Sequence, residues 1–211
     1  FTATGLILQD FASLKNTMID SMHNGYGTEL SDILTTLEMQ TAIDPPILIK
    51  WFWDIFIVDA LIGNWDRHNG NWGFLYNNAT DEIKLAPVYD CGSCLFPQAS
   101  EEIMKNTLED PEERNLRVFE IPLSGIKING KKIRYFDFIS SLQNTDCNQA
   151  LKRILARIDL IKINKIIDET PFISDLQKTF YKTILKERKE HILNFSYEKL
   201  CKSKSSLSNE N

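Results

Sequence analysis

The sequence predicts an α+β fold that is mainly α-helical and contains two small β-hairpins. Three observations carry this prediction: a nearly all-apolar helical segment, several further segments with helical periodicity, and two short strand–turn–strand patterns. The chain has 211 residues, of which 43% are apolar and 25% charged. These values are ordinary for a globular protein and sufficient for one sizeable core. We therefore predict one domain over residues 1–201, followed by a disordered tail, 202–211, that is rich in Ser, Lys and Asn.

The charge balance and the cysteine count exclude several classes of protein. Lys and Arg number 24 against 29 Asp and Glu, a net charge of −5, whereas a nucleic-acid-binding domain usually carries a basic excess or stripe. The most apolar stretch, Ile47 to Gly63, contains three charged residues, so no membrane span is expected. Four cysteines do not make a disulfide framework, and reduced thiols fit a cytoplasmic protein. Cys91 and Cys94 have the spacing of a zinc or redox pair, but no second pair accompanies them, which favours buried or incidental thiols.

The first half of the chain contains one short strand and two helices. Leu6 to Leu8 form the predicted strand. A helix runs from Glu29 to Gln40, with Thr28 as its predicted N-cap. Two prolines then start a second helix, Ile47 to Leu61, whose apolar residues point in nearly every direction. Such a helix is usually buried in the centre of a domain.

The hairpins and the remaining helices follow from turn signals and periodicity. The first hairpin joins strands Trp72–Tyr76 and Glu82–Ala86, and the second lies within Gly125–Arg134 with Asn129-Gly130 as its two-residue turn. Glu101 to Arg117 is polar, and we expect it to be partly helical and on the surface. Further helices are predicted over Tyr135–Leu142, Cys147–Arg157, Ile161–Asp168 and Ser174–Asn194.

A polar loop directly after the apolar helix carries the strongest functional signal. Its Asp66 and Asn71 have the Asp-x4-Asn spacing of the catalytic loop of protein kinases. In such loops the aspartate accepts or orients the hydroxyl proton of the substrate, and the asparagine oxygen binds magnesium. A second magnesium-binding acid is then expected after a short hairpin. Asp90 stands there and opens an Asp-x-Gly triplet that ends at Gly92.

Each of these residues alone would be read as a turn or surface residue. The functional interpretation rests on their order along the chain: helix, Asp-x4-Asn loop, hairpin, Asp-x-Gly. Phosphoryl transfer needs this set, because its transition state spreads negative charge that hard oxygen ligands and Mg²⁺ neutralise.

The segment around this loop resembles the bacterial HipA-like serine/threonine kinases, in the helical C-terminal lobe. The residues that carry the resemblance are Asn64-Trp65-Asp66-Arg67-His68-Asn69-Gly70-Asn71-Trp72-Gly73-Phe74 and Leu85-Ala86-Pro87-Val88-Tyr89-Asp90. The family signature is an Asp-x-His-x-x-Asn loop followed, after a hairpin, by Tyr-Asp. The loop is also similar to that of phosphoinositide 3- and 4-kinases.

The resemblance implies a role for each site residue. Asp66 would be the catalytic base, Asn71 and Asp90 would hold Mg²⁺, and His68 and Tyr89 would lie beside ATP. It also implies a protein substrate phosphorylated on Ser or Thr.

The resemblance further implies partners and leaves alternatives. The family's nucleotide-gripping N-terminal lobe has no counterpart here, so we expect it upstream of Phe1. Members include toxins with antitoxin partners and stand-alone effectors, which can be secreted. The alternatives are a lipid or small-molecule kinase of the same fold and a non-enzymatic C-lobe binding module.

Overall fold

The structure is a computed structural model that describes residues 6–208. It is mainly helical with two small antiparallel sheets, as the sequence predicted. The helices are α1 (Phe11–Met18), α2 (Leu30–Met39), α3 (Pro45–Ile62), α4 (Glu101–Glu109), α5 (Pro111–Asn115), α6 (Tyr135–Ser141), α7 (Thr145–Leu155), α8 (Leu160–Glu169), α9 (Asp175–Arg188) and α10 (Phe195–Ser208). The strands are β1 (Leu6–Asp10), β2 (Gly73–Asn77), β3 (Glu82–Leu85), β4 (Lys127–Ile128) and β5 (Lys131–Lys132). None of the helices in this described part of the chain has the length and apolar character needed to cross a membrane.

Helix α3 forms the centre of the domain. It packs between α2 and α7, and its side chains are buried around most of its circumference. Two prolines occupy its first turn, where the missing amide hydrogen has no intrahelical acceptor to lose. The helix ends where Gly63 adopts a left-handed conformation, with φ of 64°. Because the ending is sharp, the residues after it leave the core at a defined point.

A three-stranded antiparallel sheet packs against the N-terminal half of α3, where the ring of Trp51 lies 6.5 Å from that of Phe74, centroid to centroid. Its strand order is β1-β2-β3, so the predicted strand at the start of the chain joins the first predicted hairpin. The backbones of β1 and β2 approach so closely at Gly73 that a Cβ there would lie 2.1 Å from the carbonyl oxygen of Gln9. The second hairpin, β4-β5, turns at Asn129 and Gly130, both with positive φ, as a two-residue type I′ turn requires.

The N-terminus of α2 differs from the prediction. Glu29, not Thr28, occupies the N-cap position, and no side chain caps the helix. The Glu29 carboxylate instead accepts hydrogen bonds from the backbone amides of Asn129 and Gly130. A contact between residues so distant in sequence has no local signal, which is why the local capping pattern was wrong here.

The polar segment after residue 100 is more buried than predicted. It is helical, but Met104 on α4 is buried and packs with Phe180 and Ile184 of α9 in a second, smaller core. The last helical run also continues further than predicted: α9 passes through a π-helical segment, Lys189–Asn194, into α10 and thus to Ser208. It enters the segment for which composition predicted disorder, and residues 209–211 lie outside the described part of the chain.

A buried ion pair orders the loop between α1 and α2. The Lys15 ammonium, fully buried, donates to the Asp20 carboxylate over 2.5 Å. Asp20 also accepts the backbone amides of His23 (3.1 Å) and Gly27 (3.2 Å). The hydrogen bond from Lys15 lowers the pKa of Asp20 to about 2. One carboxylate thus holds both ends of this loop.

We predict that Asp20→Asn destabilises the protein by about 3 kcal/mol, because it leaves the Lys15 charge buried without a counter-charge. The pKa of Asp20 falls from 3.8 to about 2 on folding, so its contribution is present above the unfolded value and is lost as the pH falls through the folded one. Urea titrations between pH 2 and pH 7 should therefore show that the variant lacks part of the acid sensitivity of the wild type. The control is Asp32→Asn on the exposed face of α2, for which we expect a change within about 0.5 kcal/mol. Equal stability of the Asp20 variant and the wild type at neutral pH would contradict the prediction.

Candidate active site

The loop that follows α3 is held from its first residue. Asn64 is fully buried, and its amide nitrogen donates to the Asp59 carboxylate over 3.0 Å while its side-chain oxygen accepts the backbone amide of Asp66 over 3.1 Å. The Asn64 carbonyl accepts the Tyr135 hydroxyl over 2.6 Å. The backbone of Asp66 is thus positioned by contacts that lead back into the core.

A buried salt bridge between Asp59 of α3 and Arg67 of the loop is the main electrostatic feature of the site. Nε of Arg67 lies 2.9 Å from one carboxylate oxygen of Asp59, and Nη2 lies 3.0 Å from the other. Both side chains are almost inaccessible to water. Burial alone would lower the pKa of Arg67, but the paired carboxylate raises it above its ordinary value, so the guanidinium remains charged. This bidentate geometry is the strongest form of such a pair.

The remaining donors of Arg67 join the loop to the segment after β3. Nη1 donates to the carbonyl oxygen of Asn71 over 2.6 Å and to that of Tyr89 over 2.7 Å. Nη2 also lies 3.6 Å from the sulfur of Cys91. The residues on both sides of Asp90 are therefore held by the same side chain that holds the predicted catalytic loop. Arg67 brings together the two parts of the chain that carry the predicted site residues.

Asn71 is oriented by a hydrogen bond inside the loop. Its amide nitrogen donates to the carbonyl oxygen of Asp66 over 2.8 Å. Within the described residues, its side-chain oxygen and the Asp66 carboxylate accept no hydrogen bond. The Asn71 side chain is 5% exposed, so its orientation is constrained. An amide oxygen and a carboxylate are left free to meet ligands.

His68 and Tyr89, the residues predicted to lie beside the nucleotide, both contact Gly70 of the loop. Nδ1 of His68 accepts the backbone amide of Gly70 over 3.0 Å, and the His68 ring lies 5.6 Å from the ring of Tyr26, centroid to centroid. Tyr89 donates its hydroxyl to the Gly70 carbonyl over 3.1 Å. Burial, followed by the negative charge of Asp10, raises the pKa of Tyr89 to about 12, so the phenol is protonated at neutral pH.

Asp90 presents an exposed carboxylate at the end of the segment that Arg67 holds. Its φ of 52° is left-handed, a conformation in which Asp and Asn are enriched among residues other than glycine. Within the described residues its carboxylate has no hydrogen-bond partner. A free carboxylate and the free oxygen of Asn71 are the hard oxygen ligands that a divalent cation such as Mg²⁺ takes in proteins.

The loop is braced from its other side by Asn69. This side chain is fully buried, and its amide nitrogen donates to the carbonyls of Gly25 and Gly27, each over 2.8 Å. These glycines belong to the loop that Lys15 and Asp20 order. The predicted catalytic loop is consequently connected to two buried ion pairs, Asp59–Arg67 and Lys15–Asp20.

Cys91 and Cys94 do not form a metal site with other ligands in the described residues, where the one candidate cluster of metal-ligating side chains is Glu187, Glu190 and His191. Burial raises the pKa of Cys94 to about 12, so this thiol is protonated at neutral pH. A protonated thiol is a poor nucleophile. Of the two predicted alternatives, buried or incidental thiols, burial does not apply to Cys91, which is exposed, and applies only in part to Cys94.

Sequence reasoning missed the residues that support the site. Arg67 was equally compatible with a surface charge, and Asn64 and Asn69 with turn residues. The available signal was Asp59, a carboxylate within an otherwise apolar helix, which requires a partner if it is buried. The arginine eight residues later was that partner.

Comparisons with known proteins agree with the motif. The family model for the HipA-like C-terminal domain matches residues 4–164. The serine/threonine-protein kinase CtkA of Helicobacter pylori is 46% identical over 198 residues, covering 93% of this chain and 61% of that protein. The crystal structure of the Helicobacter pylori proinflammatory kinase CtkA superposes with a TM-score of 0.92 at 44% identity, covering 97% of this chain and 74% of that one. The chain thus spans about three fifths of the length of its curated relative.

We predict that Arg67→Met lowers the free energy of unfolding by about 3–5 kcal/mol, because the Asp59 charge stays buried without its partner. The matched control is Arg153→Met. Arg153 also pairs with an aspartate of α3, Asp54, over 2.7 Å, but its side chain is 32% exposed, so we expect a loss of about 1 kcal/mol or less. Urea denaturation of both variants measures the difference. Similar losses of unfolding free energy in the two variants would contradict the claim that burial makes the Asp59–Arg67 pair contribute more to stability than the Asp54–Arg153 pair.

Proposed function

The chain belongs to the family of HipA-like C-terminal domains, and from that premise we propose that it supplies the catalytic loop and metal ligands of a serine/threonine protein kinase. The observation that carries the proposal is the hydrogen bond from the Asn71 amide to the Asp66 carbonyl. This bond uses the amide nitrogen of Asn71 and the backbone of Asp66, so the Asn71 side-chain oxygen and the Asp66 carboxylate both stay free on one short loop. These two groups are suited to the two roles that phosphoryl transfer needs, binding of magnesium and acceptance of the hydroxyl proton.

In the proposed reaction, Asp66 accepts the proton of a serine or threonine hydroxyl. The hydroxyl oxygen forms a bond to the γ-phosphorus of ATP, the bond from that phosphorus to the bridging oxygen breaks, and ADP leaves. Positioning makes the main contribution, because little covalent chemistry falls to the protein itself. The contacts of Asn64 and Arg67 serve this positioning.

Asn71 and Asp90 are the residues that would hold Mg²⁺. When bound, the ion neutralises charge that develops on the phosphate oxygens. Arg67 keeps these two residues in register through the Asn71 and Tyr89 carbonyls. His68 and Tyr89 would lie beside the nucleotide, and the protonated Tyr89 hydroxyl stabilises the loop through Gly70. The reaction also requires a lobe that binds the phosphates of ATP. Kinases commonly do this with a glycine-rich loop, and no such loop is present in this sequence.

We predict that Asp66→Asn reduces phosphorylation by the complete protein at least about 100-fold, the usual contribution of a general base. The melting temperature should stay close to that of the wild type, because the Asp66 carboxylate has no hydrogen-bond partner in the described structure. Intact-mass measurement after incubation with Mg-ATP reports added phosphoryl groups. The control is Asp44→Asn, an exposed carboxylate at the N-cap of α3 that makes no capping hydrogen bond. Equal phosphorylation by the Asp66 variant and the wild type would refute the role of Asp66.

We predict that Asp90→Asn weakens magnesium-dependent nucleotide binding at least about tenfold, or 1.4 kcal/mol. Asparagine tolerates the left-handed conformation at this position, so the change removes the charge while the backbone is kept. Titration calorimetry with ATP at several magnesium concentrations measures the effect. If magnesium strengthens ATP binding equally in the variant and the wild type, Asp90 is not a ligand.

A further inference from the structure

An apolar pocket of about 230 Å³ opens next to the proposed catalytic base. Its lining comes from the loop after α3 (Trp65), from the segment after Asp90 (Phe96, Pro97, Gln98 and Ala99), from α4 (Ile103) and from the π-helical segment Leu116–Glu120 (Arg117). Trp65 directly precedes Asp66, and its side chain is 40% exposed. A large aromatic side chain exposed beside a catalytic loop is a feature that neither the core nor the proposed reaction uses.

The part of the pocket wall that follows Asp90, around Phe96, is fixed in place. The backbone amide of Leu95 donates to the Ile62 carbonyl at the end of α3 over 2.9 Å. Leu95 and Phe96 both have left-handed φ values, 57° and 56°, which cost energy and persist only where the surrounding contacts impose them. The Phe96 ring packs against Phe180 of α9, with 6.0 Å between centroids. The pocket is therefore formed before any ligand arrives, and such preorganisation favours selective binding.

The lining of the pocket is mainly apolar, with Gln98 as its neutral polar member and Arg117 as its charged one. The guanidinium of Arg117 lies over the Phe96 ring, 5.6 Å from its centroid. Its Nε donates to the Thr107 hydroxyl over 2.9 Å, and Nη2 lies 3.4 Å from Glu113. Because these contacts occupy the one cation in the lining, an apolar group gains more from entering the pocket than an acidic one does.

The position of the pocket indicates its occupant. It is lined by Trp65, which directly precedes Asp66, and by the segment that follows Asp90, so a polypeptide that brings a hydroxyl to Asp66 can place a neighbouring side chain against Trp65. We propose that this pocket binds an apolar side chain of the protein substrate, close in sequence to the phosphorylated residue. This inference rests on the proposed kinase function and adds a specificity determinant to it.

The test uses the complete protein, Mg-ATP and an array of synthetic serine peptides in which each flanking position carries each amino acid in turn. We expect the wild type to prefer large apolar residues over alanine at one position by at least about fivefold. Ile103→Asp should abolish this preference and shift it towards lysine and arginine. Aspartate is favourable in the first turn of α4, so the helix is kept.

The matched control is Ile161→Asp, which makes the same change in the first turn of α8 at a residue that is 84% exposed. It should keep the wild-type preference. Because the readout is a ratio between peptides, a general loss of activity does not alter it.

Three outcomes would overturn the inference. The first is phosphorylation without apolar preference at any position, and the second is a preference that Ile103→Asp leaves intact. The third is a protein that phosphorylates itself but none of the peptides, which overturns the pocket and leaves the kinase function in place. Absence of both peptide and self-phosphorylation refutes the proposed function, and the pocket inference falls with it.

Discussion

The arrangement of the site depends on the buried salt bridge between Asp59 and Arg67. Two buried charges are tolerated in a protein interior when each has the other and further hydrogen bonds as well. Here the carboxylate also accepts Asn64, and the guanidinium also donates to the carbonyls of Asn71 and Tyr89. The loop and the segment before Asp90 therefore cannot move apart without exposing a charge or leaving carbonyls unpaired. Because the Asp59–Arg67 pair must stay buried, its contacts fix the position of the loop relative to the segment before Asp90.

A second set of contacts limits the loop from the opposite direction. Asn69 hydrogen-bonds the carbonyls of Gly25 and Gly27, in a loop whose conformation depends on the Lys15–Asp20 pair. By contrast, the carboxylates of Asp66 and Asp90 and the side-chain oxygen of Asn71 make no hydrogen bond within the described residues, while the amide nitrogen of Asn71 helps to order the loop. Support of the loop and the proposed chemistry fall to different atoms, which explains how the loop is held in place while the oxygens proposed as ligands stay free.

Local patterns predicted most of the fold and singled out Asp66, Asn71 and Asp90 as candidate site residues, whereas His68 and Tyr89 came from the family resemblance. Helix α3 was predictable because its prolines and its terminal glycine act within one turn, and the β4-β5 turn because Asn129-Gly130 adopts type I′ geometry by itself. The failures concern contacts between distant residues. Glu29 accepts amides about a hundred positions away, and Met104 of a polar helix is buried because α9 packs over it. The Asp59–Arg67 pair was also missed, although its members lie only eight residues apart. The available signal was Asp59, because a buried aspartate in an apolar helix needs a counter-charge.

The claim that Arg67 couples the catalytic loop to the segment around Asp90 can be tested directly by amide hydrogen exchange in Arg67→Lys. Lysine keeps the charge beside Asp59 but lacks the planar fork that reaches two carbonyls at once. We predict faster exchange at the amides of His68 and Asn71 and, together with them, at those of Cys94 and Leu95, all of which are hydrogen-bonded in the structure. Amides within α7 should keep the wild-type rate. Faster exchange in the catalytic loop alone, with the second segment unchanged, would contradict the account.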